Sequence, residues 1–272
     1  MNRKHLILRH INPHDPGLEI GPSHNPIAPK REGFNVQIID HLSREALVDK
    51  YRAHGLNTDK IEPVDFIWNG ESYPDLVGRH HCYRWIIASH VIEHTPDLIR
   101  FLNDCAMLLQ EDGILSLAIP DKRRCFDYYR PITGLGKIID AHLQRCQIHT
   151  PGTVAEYYLN VVSQGGAIAW DHPINAHLLQ ANHTFEEVSS YWQTVLSEKI
   201  YLDLHSWCFV PHSFRLMVQD LYDLGLIQLQ EVDFHPTEGC EFFMTLGRRR
   251  SGATKSRQEL LEAMQAELRE AV

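Results

Sequence analysis

The sequence predicts a doubly wound α/β fold, in which helices cover both faces of a mainly parallel sheet. Strand-like and helix-like segments alternate along residues 17–120, and the alternation returns along residues 201–247. This alternation favours a parallel sheet. The last two strand patterns are joined by a short polar turn, which adds an antiparallel pair at the end. With 272 residues, 43% of them hydrophobic, the chain can form one large domain with a buried core.

Five short apolar segments predict the parallel strands of the first half. They cover residues 17–21, 35–40, 64–68, 85–89 and 114–119. Only 13 residues separate Gly21 from Asn35, so the helix that would follow the first strand must be short or absent. Ser43 can cap a later helix, and Thr95-Pro96 has the chemistry of a helix start, followed by a helical apolar stripe from Leu98 onward. Ligands of such sheets bind beyond the carboxyl ends of the strands.

Residues 121–200 lack this rhythm, and we expect them to form an inserted helical cap over the ligand site. Helical patterns cover residues 135–146 and 184–199. The second pattern begins with Thr184 and Glu187 at the spacing of a capping box, in which each side chain bonds to the other's backbone N–H. The insertion is therefore expected between the fifth strand and the last α/β unit.

The α/β rhythm returns after the insertion. Residues 211–224 predict an amphipathic helix, and residues 226–234 and 241–246 predict two more strands. The C-terminal segment is polar with a narrow apolar seam, which fits either a frayed solvated helix or one that docks on a partner. The expected domains are a core of residues 1–120 and 201–247, an insertion of 121–200, and a tail helix within 248–272.

Composition and charge exclude several classes of function. The formal net charge is −9 with histidines neutral, and so acidic a chain does not attract polyanions, which argues against a nucleic-acid partner. The apolar runs are only strand-sized, so no membrane partner is expected, and the first residues lack the apolar core of a secretion signal. The six cysteines include no C-x-x-C pair, which favours buried reduced thiols in a cytoplasmic protein. The sequence leaves a homo-oligomer open.

Two acidic residues at predicted strand ends suit a nucleoside ligand. Glu19 and Gly21 end the first strand, where a glycine lets backbone N–H groups approach a ligand closely. Asp40 ends the second strand 21 residues after Glu19, and an acid there can accept hydrogen bonds from both ribose hydroxyls. Only one glycine of the G-x-G-x-x-G loop is present, so the prediction depends on the two acids together.

A further group of motifs points to a known family. Ser89-His-Val-Ile-Glu-His-Thr-Pro-Asp97 follows the fourth strand, and Gln110-Glu-Asp-Gly113 precedes a fifth strand that ends at Pro120-Asp121. With segments 205–214 and 236–243, this set resembles class I S-adenosyl-L-methionine (SAM)-dependent methyltransferases, in the branch found with polysaccharide-biosynthesis glycosyltransferases. The resemblance implies a seven-stranded Rossmann-like sheet, SAM as cofactor, and O-methyl transfer to a small hydroxylated acceptor such as a sugar or sugar-nucleotide of a surface polysaccharide.

The resemblance also implies roles for individual residues. The cofactor-binding residues would be Glu19, Gly21, Pro22, Asp40, Asn69, Ser89, His90 and His94. The first three would lie beside the methionine part of SAM, Asp40 would hold the ribose hydroxyls, and Asn69 would approach the adenine. The last three would line the floor under the sulfonium.

Transfer to a hydroxyl also needs a base, and histidine is suited to that role near neutral pH. His205, which precedes the last α/β unit, is the first candidate, and Asp121 at the end of the fifth strand is the second. A basic cluster beyond that strand suits either a phosphate-bearing acceptor or a solvated loop. Its members are Lys122, Arg123, Arg124 and Arg130. No metal-ligating residues are predicted, and a Mg²⁺ requirement stays open, since carboxylates near the strand ends could hold one.

Two alternatives from other functional classes stay open. The fold would also serve a non-catalytic protein that binds SAM or another nucleoside, because the first loop is poor in glycine and no single base stands out. His90-Val-Ile-Glu-His94 matches the H-x-x-E-H pattern of inverted zinc proteases, which needs both histidines on one helical face. Against the protease, the pattern directly follows a strand, and Pro96 would interrupt a helix through it.

Overall fold

A seven-stranded sheet forms the centre of the structure, a computed structural model that describes residues 2–172, 174–248 and 252–270. The strands of the described chain are β1 (Gly17–Ile20), β2 (Val36–Asp40), β3 (Phe66–Ile67), β4 (Tyr83–Ser89), β5 (Leu109–Pro120), β6 (Val162–Ser163), β7 (Gln180–Ala181), β8 (Gln230–Glu238) and β9 (Glu241–Gly247). In the large sheet β1 to β5 are parallel, and β9 is antiparallel to β5 and β8. β6 and β7 form a separate small sheet.

The topology confirms the predicted fold class. The sheet order is β3-β2-β1-β4-β5-β9-β8, which is 3-2-1-4-5-7-6 when the sheet strands are numbered along the chain. A mixed sheet of this order with a terminal antiparallel hairpin is typical of methyltransferases. The chain adds strands on one side up to β3 and then crosses to β4 on the other side of β1. The carboxyl ends of β1 and β4 therefore flank the topological switch point, where ligands of such sheets bind.

Helices connect and cover the strands. In the described residues they are α1 (Arg3–Leu8), α2 (Arg44–Ala53), α3 (Tyr73–Val77), α4 (Leu98–Leu108), α5 (Leu135–Leu143), α6 (Pro151–Asn160), α7 (Phe185–Glu198), α8 (Pro211–Asp223) and α9 (Arg257–Arg269). Ser43 caps α2 as expected, because its side chain accepts the Ala46 N–H. The helix that would follow β1 is reduced to a single 3-10 turn at Lys30–Glu32, also as expected.

The packing of β1 against β4 requires a residue without a side chain. A Cβ at Gly17 would lie 2.0 Å from the ring of Trp85. The buried indole of Trp85 donates from Nε1 to the carbonyl oxygens of Asn12 and Asp15, each at 3.1 Å. A ring held in this way has no room to move aside in a close-packed core. Glycine at the start of β1 therefore lets the two central strands lie side by side.

Helix α4 begins later than the sequence predicts. Its N-cap is Asp97, whose side chain accepts the Arg100 N–H at 2.9 Å. Thr95 does not cap the helix, because its hydroxyl donates to the Ile92 carbonyl at 2.8 Å within the preceding turn. The predicted apolar stripe of α4 is buried against the sheet.

Several element boundaries differ from the sequence patterns. β3 pairs over only two residues, whereas β5 extends over twelve, because pairing with the neighbouring strand decides where a strand ends. α1 and α3 were not predicted, since helices of six and five residues are too short to show a helical period. α6 was also missed, although Thr150 as N-cap and Pro151 behind it are start signals.

The insertion is helical, as the sequence predicts. α7 begins with the predicted capping box, in which Glu187 accepts the Thr184 N–H at 2.8 Å and donates its own N–H to the Thr184 hydroxyl at 3.3 Å. α6 and α7 pack against each other, and their contact buries Val154 and Val195 together with Leu204. The insertion thus carries a small hydrophobic core of its own.

The C-terminal helix α9 is packed against another helix of the same chain. α9 packs on α8 of the same chain and buries Leu260 completely. Arg257 pairs with Asp220 of α8 at 2.7 Å, and Glu267 accepts from the ring and backbone N–H of His212. The narrow apolar seam therefore belongs to an intramolecular contact.

The structure also describes the state of the cysteines and the length of the apolar helices. All six cysteines lie within the described residues as free thiols, and three of them, Cys105, Cys125 and Cys208, are buried. No helix among the residues that the structure describes is long and apolar enough to cross a bilayer.

Candidate functional site

A cleft of about 960 Å³ opens at the carboxyl ends of β1, β2 and β4. All residues that the family resemblance assigns to the cofactor lie on its wall, namely Glu19, Gly21, Pro22, Asp40, Asn69, Ser89, His90 and His94. They come from four strand ends that are adjacent in the sheet. The structure therefore brings the predicted cofactor-binding residues together around one cavity.

Glu19 organises the loop that follows β1. Its carboxylate, only 1% exposed, accepts the N–H groups of Ile27 at 2.6 Å and Ala28 at 3.0 Å. Burial raises the pKa of Glu19 to about 7, although these two hydrogen bonds oppose the shift. Gly21 has a φ of 64°, a conformation that glycine adopts without strain. The loop after β1 is therefore held by hydrogen bonds to the buried carboxylate of Glu19, and no α-helix follows it directly.

Glu19 should make the stability of the protein depend on pH. A carboxyl whose pKa is raised from 4.5 to about 7 on folding stabilises the folded chain fully below the lower value, and this stabilisation is lost as the pH rises through the upper one. We expect the wild type to lose up to roughly 3 kcal/mol relative to Glu19→Gln across this interval. Denaturant unfolding of both proteins below and above the interval measures the difference, and parallel pH profiles would contradict the expectation.

Asp40 ties the end of β2 to the same loop. Its carboxylate accepts the Ser23 N–H at 2.9 Å and the His41 N–H at 2.8 Å, and it contacts His41 Nδ1 at 2.7 Å. Ser23 has a positive φ of 49°, which places its N–H toward the acid in a tight turn. A carboxylate offers about four lone-pair sites, and these three contacts leave one, on a side chain that the loop and His41 cover completely.

The tip of β4 carries a polar network that reaches to both ends of the chain. Arg3 donates to Ser89 Oγ at 2.6 Å and to Glu241 Oε1 at 2.5 Å. His90 Nε2 lies 2.8 Å from Glu241 Oε2. Burial alone would raise the pKa of Glu241, but hydrogen bonds from His90 and Arg3 hold it below its usual value. His90 itself has a φ of 54°, a strained conformation of the kind that clusters at functional sites.

Sequence reasoning missed Arg3 and Glu241. Arg3 lies in a helix too short to be predicted, and Glu241 begins β9 near the far end of the chain. The only sequence signal for Glu241 was its position within the segment 236–243 that resembles the methyltransferase branch. The contact of Glu241 with His90 depends on the pairing of β9 with β5 next to β4, and the contact of Arg3 with Ser89 depends on the position of α1 beside the sheet.

His94 forms an ion pair on the cleft wall. Its Nδ1 lies 2.8 Å from Asp203 Oδ1, and both residues line the cavity. The close contact with His94 lowers the pKa of Asp203 to about 2. Burial alone would lower the pKa of His94, but Asp203 and Glu93 together raise it above its usual value. Asp203 thus orients the ring of His94 within the wall.

His205, the first candidate base, does not line the cleft. It is 5% exposed, and its Nδ1 lies 2.5 Å from Asp127 Oδ2. Its ring meets the edge of His94 with a centroid distance of 4.6 Å. Asp127 is further held by Arg130 at 2.9 Å, and these two partners keep the pKa of Asp127 well below its usual range, although burial opposes the shift. The buried pair draws His205 behind His94, away from an acceptor in the cleft.

Asp121, the second candidate base, is fully buried outside the cleft wall. Arg123 donates to both of its oxygens, with the shortest contact at 2.6 Å, and the Thr237 hydroxyl donates to it at 2.5 Å. Its role is to join β5, the following turn and β8. This placement does not support the predicted contact with an acceptor.

The basic cluster beyond β5 is used inside the protein. Lys122 is buried and donates to the Tyr128 carbonyl at 2.7 Å. Arg123 pairs with Asp121, and the fully buried Arg130 pairs with Asp127. Three of the four cations, Lys122, Arg123 and Arg130, are therefore used by neighbouring carboxylates and carbonyls, whereas the buried Nη1 of Arg124 has no hydrogen-bond partner among the described residues.

The H-x-x-E-H segment is not helical in the way that a zinc protease needs. Ile92–His94 forms a single 3-10 turn after β4, and His90 has left-handed backbone geometry. His90 and His94 therefore do not share a helical face, and His90 is engaged by Glu241. The structure does not support the protease alternative.

The insertion contributes a short stretch to the cleft. Cys146, Gln147 and Ile148 lie on the wall, and so does Tyr201 just beyond the insertion. The Tyr201 hydroxyl donates to the His94 carbonyl at 3.2 Å. These residues add amide, aromatic and aliphatic surface to a wall otherwise built from strand ends.

Comparison with known proteins finds similarity in fold only. No protein-family model and no curated protein matches the sequence. One similar structure, described as a candidate Zn-dependent alcohol dehydrogenase from Rhodobacter sphaeroides, is 13% identical over 90% of this chain and 88% of its own, with a TM-score of 0.49. The CcbJ methyltransferase from Streptomyces caelestis is 13% identical over 90% and 94%, with a TM-score of 0.47. A SAM-dependent methyltransferase from Methanosarcina mazei is 10% identical over 88% and 95%, with a TM-score of 0.40.

Proposed function

We propose that the protein is a SAM-dependent methyltransferase that acts on a small hydroxylated acceptor. The observation that carries the proposal is the convergence of Glu19, Asp40 and Ser89, at the ends of three parallel strands, on one cleft. A cavity of about 960 Å³ is at the upper end of the usual range for small-molecule sites, which leaves room for a nucleoside and a second ligand. The fold agrees with this activity but does not by itself select it.

The residues of the cleft fit SAM. Asp40 keeps one lone-pair site for a ribose hydroxyl, and the loop after β1 brings backbone close to the strand ends without side-chain bulk at Gly21. When bound, SAM supplies a methyl group on a positively charged sulfur, which an oxygen nucleophile can take by in-line displacement. What remains for the chain is to orient the acceptor and to remove its proton.

His90 is the side chain best placed to take that proton. It is 37% exposed at the tip of β4, whereas His205 and Asp121 are buried elsewhere. Its Nε2 contacts Glu241 at 2.8 Å and its Nδ1 lies 3.7 Å from Glu93 Oε1, so both acids would stabilise the ring once it is protonated. The acceptor oxygen would bond to the methyl carbon as the carbon–sulfur bond breaks, and its proton would pass to the His90 ring.

A sugar or sugar-nucleotide of a surface polysaccharide is the acceptor that the family resemblance favours. Gln147, Tyr201 and Asp203 line the cleft and offer hydrogen bonds and an aromatic face to a hydroxyl-rich ring. The internal pairing of Arg123 and Arg130 weakens the argument for phosphate recognition beyond β5. The sugar hydroxyls themselves are therefore the groups that we expect the cleft to recognise.

Binding and transfer can be tested separately. Calorimetry should detect binding of SAM and of S-adenosylhomocysteine, and no heat with either ligand in a folded sample would contradict the proposal. Transfer is measured with methyl-labelled SAM against a panel of free sugars and nucleoside-diphosphate sugars. Tight cofactor binding without transfer to any of them would favour the non-catalytic alternative.

We expect Asp40→Ala to weaken binding of S-adenosylhomocysteine by about 1.5–3 kcal/mol, or roughly 10- to 150-fold, because the hydrogen bond between the carboxylate and the ribose is lost. The substitution also frees the Ser23 N–H, which would loosen the loop. A 2′,3′-dideoxy analogue separates the two effects, since a loosened loop weakens both ligands equally.

The wild type should therefore prefer the hydroxylated ligand, and Asp40→Ala should lose this preference. Asp65→Ala is the matched control, because Asp65 also accepts a backbone N–H of β2, that of Ile38 at 2.7 Å, but does not line the cleft. A preference for the hydroxylated ligand that survives in Asp40→Ala would remove the ribose assignment.

A further inference from the structure

Glu93 is a buried acid without a hydrogen-bond partner. It is 1% exposed, and neither oxygen of its carboxylate is hydrogen-bonded. Buried polar groups in folded proteins are nearly always satisfied, so such an acid needs an explanation. Three histidine nitrogens lie near its Oε1, namely His90 Nδ1 at 3.7 Å and His94 Nε2 and His205 Nε2 at 3.9 Å each. Of these, His94 Nε2 and His205 Nε2 also lie within 4.8 Å of each other, whereas the other nitrogen of His90 is engaged by Glu241.

Each of the two histidines is oriented by a carboxylate on its other nitrogen. His94 Nδ1 lies 2.8 Å from Asp203, and His205 Nδ1 lies 2.5 Å from Asp127. His205 Nδ1 is hydrogen-bonded to Asp127, and a ring that donates Nδ1–H to a carboxylate keeps its lone pair on Nε2, the nitrogen that lies toward Glu93. The contact of His94 with Asp203 is also close but lacks hydrogen-bond geometry, and there too Nε2 is the nitrogen that lies toward Glu93. Metal-ligating histidines nearly always have such a carboxylate, carbonyl or water on the second nitrogen.

We propose that Glu93, His94 and His205 form a binding site for a divalent transition-metal cation, with Zn²⁺ as the first candidate. The three donor atoms lie within 4.8 Å of one another. Tetrahedral Zn²⁺ with bonds of about 2.0–2.1 Å would hold its ligands roughly 3.3 Å apart, so the donor atoms of each pair would have to approach one another by up to about 1.5 Å, through side-chain rotation, to close the shell. Two imidazoles and one carboxylate are ligands that Zn²⁺ accepts.

The site departs from both expectations made from the sequence. No metal-ligating residues were predicted, and the H-x-x-E-H reading would have used His90 and His94 with Glu93 as a base. Here Glu93 is itself a ligand, and the third ligand comes from His205 just before α8. Three protein ligands leave a coordination position open, and His94 reaches the wall of the cleft. The inference goes beyond methyl transfer and does not depend on it.

The test is a metal titration of the tag-free full-length chain after treatment with a chelator. We expect close to one Zn²⁺ per chain by calorimetry, and Co²⁺ should give the intense visible absorption of a tetrahedral site. Glu93→Gln and His205→Gln should each weaken binding by at least roughly tenfold. Far-ultraviolet circular dichroism shows which variants are folded. If only one of the two variants folds, the Zn²⁺ affinity of that variant decides the test.

His10→Gln is the matched control, because His10 is also paired with a carboxylate, Asp233 at 2.7 Å, but lies outside the cluster. It should bind Zn²⁺ as the wild type does. The alternative is that the histidines and Glu93 only compensate one another's charge. Wild type that takes up no Zn²⁺, or folded Glu93→Gln that binds it as tightly as wild type, would overturn the proposal, whatever the outcome of the SAM experiments.

Discussion

His90→Gln should lower the rate of methyl transfer by about 10²–10⁴-fold, the range that a positioned acid or base contributes, with any acceptor that the wild type methylates. Glutamine keeps a polar side chain near Glu241 but cannot take the acceptor proton. Because His90 would act on the acceptor during transfer, the loss should appear mainly in kcat, while the affinity for S-adenosylhomocysteine, whose binding cleft His90 also lines, should change far less. Single-turnover transfer from labelled SAM and calorimetry measure the two quantities.

If His90 had a structural role only, added imidazole would not restore activity to a variant that lacks the side chain. Chemical rescue therefore distinguishes a catalytic base from a structural residue. His90 has a φ of 54°, so His90→Gly relieves backbone strain and leaves space for an added base. Imidazole in solution should restore part of the activity of this variant. His10→Gln is a matched control, since the exposed fractions of His10 and His90 are 38% and 37% and both pair with an acid. Undiminished kcat in His90→Gln, or no rescue by imidazole, would remove the base assignment.

Asp127→Ala should destabilise the folded protein by about 3–5 kcal/mol, the usual effect of removing one partner from a buried ion pair. Asp127 is 1% exposed and holds both Arg130, also 1% exposed, and His205. Of its two carboxylate partners among the described residues, Arg130 would keep Glu156 at 3.1 Å, and the Nη1 that bonds to Asp127 would join Nε as a buried donor without a partner. Denaturant unfolding in the presence of a chelator measures the change without a contribution from metal.

Two further variants test whether burial of the ion pair causes this loss of stability. Asp127→Asn keeps the shape and one acceptor oxygen, so it should lie between wild type and Asp127→Ala. Asp171→Ala breaks a pair of similar length, with His172 at 2.8 Å, but both of its side chains are exposed, and exposed pairs contribute little. It should leave the unfolding midpoint unchanged. A wild-type midpoint in Asp127→Ala would mean that this interior pair does not stabilise the fold.

Hydrophobic patterning determined most of the fold from the sequence alone. Period-2 and period-3.6 patterns depend on which side of an element is buried, and they therefore located the sheet strands and the helices α2, α4, α5, α7 and α8. The parallel alternation also implied that strand ends meet at one edge. This is why Glu19, Asp40 and Ser89 were expected near one ligand and are found on one cleft.

Only the tertiary structure decided which polar side chains face that cleft. His205 and Asp121 have suitable chemistry and follow the right elements, but Asp127 and Arg123 hold them in the interior. Contacts between residues far apart in the chain, such as Arg3 with Glu241, leave no periodic pattern, because they depend on the order in which strands pair. The cluster of Glu93, His94 and His205 arises in the same way, where the segment before α8 passes the turn after β4.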